Sequence, residues 1–180
     1  MILHTDRVTL RPWRDDDADA FVALHADPAV MVDMPVNSRD KSQAKLERYR
    51  AAFDRLGFCR WALERRDGVF LGYVGLMPVP DDNPAAGGVE IGWRLVRAAW
   101  GQGYASEGAR AALKDGFDRS GLAEVLSYTA PQNLRSQAVM WRIGLERDAT
   151  RDFTLETPDG PWTGLMWVAR AAAWRGQSAS

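Results

Sequence analysis

The sequence contains almost no cysteine or histidine. Its 180 residues include one cysteine, Cys59, and two histidines, His4 and His25. A single cysteine cannot form an intrachain disulfide, and it excludes a zinc site built from several cysteines. Two histidines are too few for a histidine-rich metal centre. We therefore expect no metal, and we interpret Cys59 as a small core residue rather than an acyl-accepting nucleophile.

The sequence also lacks a charge imbalance and a long apolar segment. Its 23 basic and 24 acidic residues give a formal net charge of −1. Such a chain has no general attraction to nucleic acid or to anionic lipid. It has no apolar run long enough to cross a membrane and no secretory signal pattern. We expect neither nucleic acid nor a membrane as a partner, and we expect a cytoplasmic location.

The periodicity of the chain predicts one domain that mixes helices and strands. The length suits a single core, which we place at residues 1–175, followed by a flexible tail at 176–180. Apolar spacing predicts the order β-α-α-β-β-β-α-β-α-β-β. This order favours an α/β (α+β) domain with a mixed, mostly antiparallel sheet of six to seven strands. About four helices should flank that sheet.

The most informative stretch runs from Gly88 to Glu107. It begins with the alternating pattern of a strand, passes through a turn that contains Gly101 and Gly103, and continues as an apolar-periodic helix. Glycines let a backbone approach a ligand closely, and the free N–H groups at a helix start bind anions. No lysine follows as in a phosphate-binding P-loop, and no third glycine completes a dinucleotide fingerprint. The stretch therefore predicts a phosphate site of another kind.

Five ordered segments resemble the GNAT acetyltransferase superfamily, and within it the ribosomal-protein N-terminal acetyltransferase (RimJ/RimL-type) branch. The turn Trp100-Gly101-Gln102-Gly103-Tyr104-Ala105 resembles the acetyl-CoA signature of the superfamily. The other segments are Thr5 to Arg11, Trp61 to Glu64 with Leu71 to Leu76, Glu90 to Trp93, and Asn133 to Ser136 with Ile143 to Leu145. Together they span about residues 5 to 174.

The resemblance implies acetyl-CoA as cosubstrate and a sheet that splays between the strand near 88–95 and the strand near 124–130. In the family, the main chain at this opening binds the pantetheine arm and the pyrophosphate. Carried onto this sequence, the cofactor-binding positions are Trp93, Arg94, Leu95, Val96, Trp100, Gly101, Gln102, Gly103, Tyr104, Ala105, Asn133 and Ser136. Gly92, inside the strand, would mark a close backbone approach. A homodimer is common in this branch.

Direct attack of an amine on the thioester needs a base and a proton for the departing thiolate. Glu90 interrupts an apolar strand and is our candidate base, although it could instead face solvent or join a salt bridge. Ser136 is our second catalytic candidate, while Asn133 also suits a helix N-cap without any catalytic part. Many family members carry a tyrosine acid where this chain has Met140. That departure leaves the proton donor open.

The acceptor is the least determined part of the hypothesis. An α-amine loses its proton more readily than a lysine side chain, which favours the N-terminal α-amine of a protein or peptide. A small amine of the aminoglycoside kind is an alternative. So is a non-catalytic acyl-CoA-binding module, which the missing tyrosine would allow, and so is a binder of other nucleotide phosphates.

Overall fold

The computed structural model describes residues 1–32, 34–158 and 160–174. The predicted tail at 176–180 lies outside these ranges. So does the central residue of the turn that the residue types of Pro158 and Gly160 predict. The strands of the described chain are β1 Leu3–His4, β2 Val8–Arg11, β3 Arg60–Arg65, β4 Phe70–Pro78, β5 Val89–Leu95, β6 Glu124–Thr129, β7 Glu146–Arg147, β8 Phe153–Thr157 and β9 Gly160–Arg170. The α-helices are α1 Ala18–Ala26, α2 Arg39–Leu56, α3 Tyr104–Asp118 and α4 Leu134–Arg142.

The strands form one mixed sheet in the order β1-β2-β3-β4-β5-β6-β9-β7, and β8 pairs only with β9. Every pairing is antiparallel except that of β5 with β6. The mixed, mostly antiparallel sheet and the four flanking helices confirm the predicted architecture. The count of nine strands exceeds the predicted six to seven because the two-residue β1 was not foreseen. In addition, the sixth strand of the predicted order, which the apolar spacing places near 146–156, is divided into β7 and β8 by a short helical turn at Ala149–Arg151.

The helices cover the two faces of the sheet. On one face, α3 packs so closely that a side chain at Gly108 would come within 3.0 Å of Val74 and Leu63. On the opposite face, α1 and α2 enclose an aromatic cluster whose members are Trp13, Phe21, Tyr49 and Tyr73. Each face therefore buries its own apolar layer, and β5 lies between the two layers. No helix of the described ranges is both long and apolar enough to cross a membrane.

Candidate active site

The sheet opens between β5 and β6. Their parallel ladder consists of one bridge, Glu90 with Leu126, and the Ser127 hydroxyl donates to the Ile91 carbonyl at 2.9 Å. Beyond Ile91, the described part of the chain pairs no further residue of β5 with β6. The splay that the resemblance implies is therefore present, and Glu90 stands where the two strands part.

The main chain of β5 presents hydrogen-bonding groups to this opening. The Val96 N–H donates to the Leu71 carbonyl of β4 at 2.9 Å, and Arg94 pairs with Tyr73 of the same strand. Because neighbouring residues of a strand point their N–H groups to opposite sides, Trp93 and Leu95 point toward β6. The groups of Arg94 and Val96 are engaged within the sheet. From β5 we therefore retain only Trp93 and Leu95 as main-chain candidates for binding the pantetheine arm.

The glycine turn forms the far end of the opening. Gly101 and Gly103 have φ angles of 73° and 81°, values that side-chain-bearing residues rarely adopt. Across the described residues, no protein acceptor receives a hydrogen bond from the N–H groups of residues 101–106; the first helical bond of α3 runs from Glu107 to Gly103. Consecutive free N–H groups at a helix start suit a pyrophosphate. The Trp100 N–H, by contrast, is bonded to the Arg97 carbonyl, so that residue offers no main-chain donor.

Side chains hold the turn in place from two sides. The Trp100 indole donates to the Leu95 carbonyl at 2.8 Å, which ties the turn to the end of β5. From the other side, Arg7 donates to the Gln102 carbonyl at 2.9 Å and to Glu107 at 2.6 Å. Arg135 of α4 lies 4.5 Å above the Trp100 ring. The turn is thus anchored before any ligand arrives, which lowers the entropic cost of binding.

Glu90 is paired with a cation that the sequence does not reveal. Arg60 donates to Glu90 at 2.5 Å and to the Gly75 carbonyl at 2.9 Å. The Arg60 side chain is 8% exposed and that of Glu90 is 20% exposed. The guanidinium of Arg60 crosses over Gly92, where an added Cβ would lie 2.2 Å from its Nη1. Gly92 therefore makes room for Arg60, and the close approach to pantetheine is not needed to explain it.

A tyrosine lies near Glu90 on the other side of the opening. Burial raises the pKa of Tyr128, and interaction with Glu90 raises it further. Asn83 also approaches the Tyr128 hydroxyl, at 3.4 Å. Both effects make the phenol a weaker acid than an ordinary tyrosine, so it gives up its proton only if a neighbouring group replaces it. Tyr128 occupies a strand position rather than the helical one of the family motif, which is why the motif did not identify it.

The same face of the sheet as Glu90 carries a second polar group of residues, below α1 and α2. The His25 Nδ1 donates to the Phe21 carbonyl at 3.0 Å, so Nε2 is the acceptor facing the Tyr73 hydroxyl at 3.4 Å. Burial lowers the pKa of His25 to about 4, which keeps the ring neutral. Burial alone would raise the pKa of Tyr73, but Lys45, Arg94 and Arg60 outweigh it and lower that pKa. His25 is thus a buried, neutral residue that makes hydrogen bonds within the fold.

Asn133 and Ser136, the two candidates of α4, lie at the start of that helix. Asn133 accepts a hydrogen bond from the Ser136 N–H at 3.1 Å, so it caps the helix as its residue type favours. None of the hydrogen bonds between described residues joins Ser136 to Glu90. Met140 is 2% exposed and belongs to the core. It therefore cannot supply the proton that the family tyrosine supplies.

Cys59 has the inert environment of a core residue. Its side chain is fully buried, and burial raises its pKa to about 12. A thiol with so high a pKa is a poor nucleophile. A cavity of about 480 Å³ lies beside it, between α2 and the β2–α1 connection, and does not reach Glu90 or the glycine turn. Within the described ranges, no group of three or more potential metal ligands occurs.

Comparison with known proteins places this geometry in a family. The acetyltransferase (GNAT) domain family matches residues 7–146. The FsC-acetyl coenzyme A-N(2)-transacetylase of Aspergillus fumigatus is 34% identical over 164 residues, which are 87% of this chain and 69% of that protein. An acetyltransferase structure from Agrobacterium tumefaciens aligns with a TM-score of 0.80 and 27% identity, covering 94% of each chain.

A ribosomal L7/L12 α-N-protein acetyltransferase (RimL) in complex with coenzyme A aligns with a TM-score of 0.75 at 15% identity. The alignment covers 94% of this chain and 98% of that one. Likeness at this identity extends to the fold alone. The family match covers most of the chain, from Arg7, which holds the glycine turn, to Glu146 after α4. It includes the splayed strands, the glycine turn and Glu90. The chain belongs to the GNAT acetyltransferase family and is an acetyl-CoA-dependent N-acetyltransferase.

Proposed function

We propose that this enzyme moves the acetyl group of acetyl-CoA directly to a primary α-amine, with the N-terminus of a protein or peptide as the main acceptor. The observation that carries the proposal is the position of Glu90. It stands where β5 leaves β6, next to the unpaired main-chain edge of Trp93 and Leu95. An amine that reaches this carboxylate from the α1–α2 side meets the opening at its narrow end.

The ionisation of amines supports an α-amine. Removing a proton at pH 7 costs about 1.4 kcal/mol for an α-amine of pKa near 8 and about 4.6 kcal/mol for a lysine of pKa near 10.4. Glu90 is the carboxylate that stands where the strands part, and His25, on the same face below α1 and α2, is buried and neutral. A site with one carboxylate base works more readily on the amine that is easier to deprotonate.

Each residue of the proposed site has a separate role in the reaction. Bound acetyl-CoA supplies the activated acetyl thioester. The N–H groups of residues 101–106 would hold its pyrophosphate, and those of Trp93 and Leu95 would bind the pantetheine arm. Glu90, oriented by Arg60, accepts the amine proton directly or through a water. Tyr128, which interacts with Glu90, is the donor we assign to the departing thiolate, in place of the residue missing at Met140. The protonated Glu90 would return the amine proton to the phenol as the phenol gives its own to the thiolate, so no phenolate accumulates, and Ser136 would orient a water.

A thiol-release assay tests the function. The purified protein is given acetyl-CoA and a panel of acceptors: peptides with a free α-amine, the same peptides with a blocked α-amine and a free lysine, and small amines. The proposal expects release of CoA thiol that depends on the free α-amine, and mass spectrometry should find the acetyl group on that nitrogen. Faster turnover of the blocked, lysine-containing peptides would contradict it.

A small-molecule amine is the second candidate acceptor. The Aspergillus relative has a name that specifies acetyl transfer to a nitrogen, N(2), and it is 34% identical to this chain. The same assay separates the candidates, because a small-molecule enzyme would turn over small amines much faster than any peptide. Membership of the RimJ/RimL-type branch, a cytoplasmic location and a homodimer stay predictions.

A further inference from the structure

The face of the sheet beneath α1 and α2 holds more positive than negative charge. Three basic side chains there lie within electrostatic reach of Tyr73: Lys45 from α2, Arg60 from β3 and Arg94 from β5. Arg60 is neutralised by its pair with Glu90. Throughout the described residues, Lys45 and Arg94 form no salt bridge with a carboxylate. Two cations are therefore left without a counter-ion.

The surroundings of these two cations are poor substitutes for an anion. The Arg94 guanidinium contacts the sulfur of Met31 and lies 3.5 Å from the sulfur of Met34. A thioether is only a weak acceptor. Burial lowers the pKa of Lys45, and the charges of Arg94 and Arg60 lower it further. Each cation thus loses hydration without gaining a negatively charged partner. A bound anion would compensate for that loss.

The cations also stand at a useful distance from the proposed base. Arg94 and Glu90 lie on the same strand with three residues between them, so their side chains project to the same face. Four residues of strand span about 13 Å. Both Arg94 and Lys45 are half-buried rather than sealed, so a ligand can reach them. An acceptor whose amine meets Glu90 can therefore place a group one or two residues away beside Lys45 and Arg94.

We propose that Lys45 and Arg94 form an anion-binding subsite that selects acceptors carrying a carboxylate near the reactive amine. This inference rests on the proposed function, because it assigns the acceptor to the face of the sheet that holds Glu90. Two sources of the carboxylate fit the subsite: the acidic side chain of an Asp or Glu near a peptide N-terminus, and the free C-terminal carboxylate of a dipeptide-like small molecule. The near-neutral charge of the whole chain conceals this local excess.

Matched acceptors test the subsite. One arm compares the C-terminally amidated peptides Ser-Glu-Ala and Ser-Gln-Ala, which differ only in one carboxylate. The other arm compares the free dipeptide Ser-Gln with its C-terminal amide, with rates corrected for the ionisation of each amine. We expect the acidic member of at least one pair to have a kcat/KM about tenfold higher or more. The arm that shows the preference identifies the source of the carboxylate.

Variants then assign the preference to the two cations. Lys45→Gln and Arg94→Gln should each reduce the preference to about threefold or less by raising the KM of the acidic acceptor, and Arg94→Lys should retain part of it. Affinity for acetyl-CoA, measured by calorimetry, should stay unchanged. Lys41→Gln, at an exposed position one turn earlier on α2, is the matched control and should keep the full preference.

The outcomes separate the subsite from the function. Equal turnover of acidic and neutral acceptors by the wild-type enzyme would overturn the subsite and leave the acetyltransferase reaction intact. Absence of turnover with every amine would overturn the proposed function and the subsite with it. If a Gln variant fails to fold, the comparison of acceptors on the wild-type enzyme still decides the matter. A preference that survives in both Gln variants would remove Lys45 and Arg94 from the recognition.

Discussion

Arg60 of β3 reaches Glu90 of β5 by crossing directly over Gly92, which lies two residues along β5 from Glu90. The Nη2–Oε1 distance is 2.5 Å, and the same guanidinium also bonds to the Gly75 carbonyl at 2.9 Å. This contact orients the carboxylate and leaves it 20% exposed at the point where β5 and β6 part. The proposed base is thus held in place by a residue of β3, two strands away in the sheet, and a fixed position is a requirement for an effective proton acceptor.

The glycine beneath Arg60 provides the first test. We expect Gly92→Ala to displace the Arg60 guanidinium, because the new Cβ would lie 2.2 Å from Nη1 and 2.8 Å from Cζ. Glu90 would then lose its orienting partner, and kcat should fall by at least about tenfold. Calorimetry should find acetyl-CoA affinity close to that of the wild type. A large loss of acetyl-CoA affinity with unchanged kcat would instead support the close approach of pantetheine.

Tyr128 provides a test of the proton donor. We expect Tyr128→Phe to lower kcat about 10- to 100-fold, because the proton for the leaving thiolate would then come from water. Steady-state kinetics with saturating acetyl-CoA measures this effect, and a thermal melt checks the fold. Ser136→Ala serves as the comparison. If the Ser136 variant loses more activity than the Tyr128 variant, the assignment of the donor is reversed.

Arg7 tests the anchoring of the glycine turn. We expect Arg7→Ala to weaken acetyl-CoA binding about tenfold, because the Gln102 carbonyl and Glu107 both lose the guanidinium that fixes them. The rate constant at saturation should change little, since Arg7 lies away from Glu90. Titration calorimetry measures the affinity. The control is Arg39→Ala, which removes an exposed salt bridge with Asp19. An equal loss of acetyl-CoA affinity in that variant would show that Arg7 has no specific role in anchoring the turn.

His25 gives the stability of the fold a predicted dependence on pH. Its pKa is lowered from 6.5 to about 4 in the folded protein, mainly by burial. Below pH 6.5 the unfolded chain therefore takes up a proton that the folded chain refuses, and stability falls as the pH drops toward 4. The loss between pH 7 and pH 5 should be about 2 kcal/mol.

Urea unfolding at the two pH values measures this loss. His25→Gln should flatten the dependence by that amount, because an amide does not titrate, although the variant will be less stable at pH 7 as well. His4→Gln, at an exposed position of β1, should leave the slope unchanged. An equally steep dependence in the His25 variant would show that other groups control the acid loss.

The features that the sequence predicted correctly are those that depend on local sequence patterns. Strand periodicity, the glycines at 101 and 103, and the N-cap at Asn133 each depend on a few neighbouring residues, and the structure has them in the predicted places. The contact between Arg60 and Glu90 joins residues 30 positions apart on non-adjacent strands. It depends on β3, β4 and β5 lying side by side, which no local pattern encodes. The same holds for Lys45, which α2 brings over β4.

The prediction about Gly92 was incomplete for a related reason. A glycine in a strand signals that something approaches the backbone closely, but the signal does not say what approaches. Here it is a protein side chain, Arg60, on the face away from α3. The pairing of Arg94 and Val96 with β4 is likewise a matter of register. Register decides which main-chain groups remain free, and sequence alone left it open.

Glu90→Gln tests the central claim most directly. The amide preserves the shape of the side chain and can still accept a hydrogen bond from Arg60, but it cannot take up a proton. With saturating acetyl-CoA and a good acceptor, kcat should fall about 100-fold or more while the dissociation constant of acetyl-CoA stays within about twofold. An unchanged kcat in a correctly folded variant would remove Glu90 from the reaction and contradict the proposed mechanism.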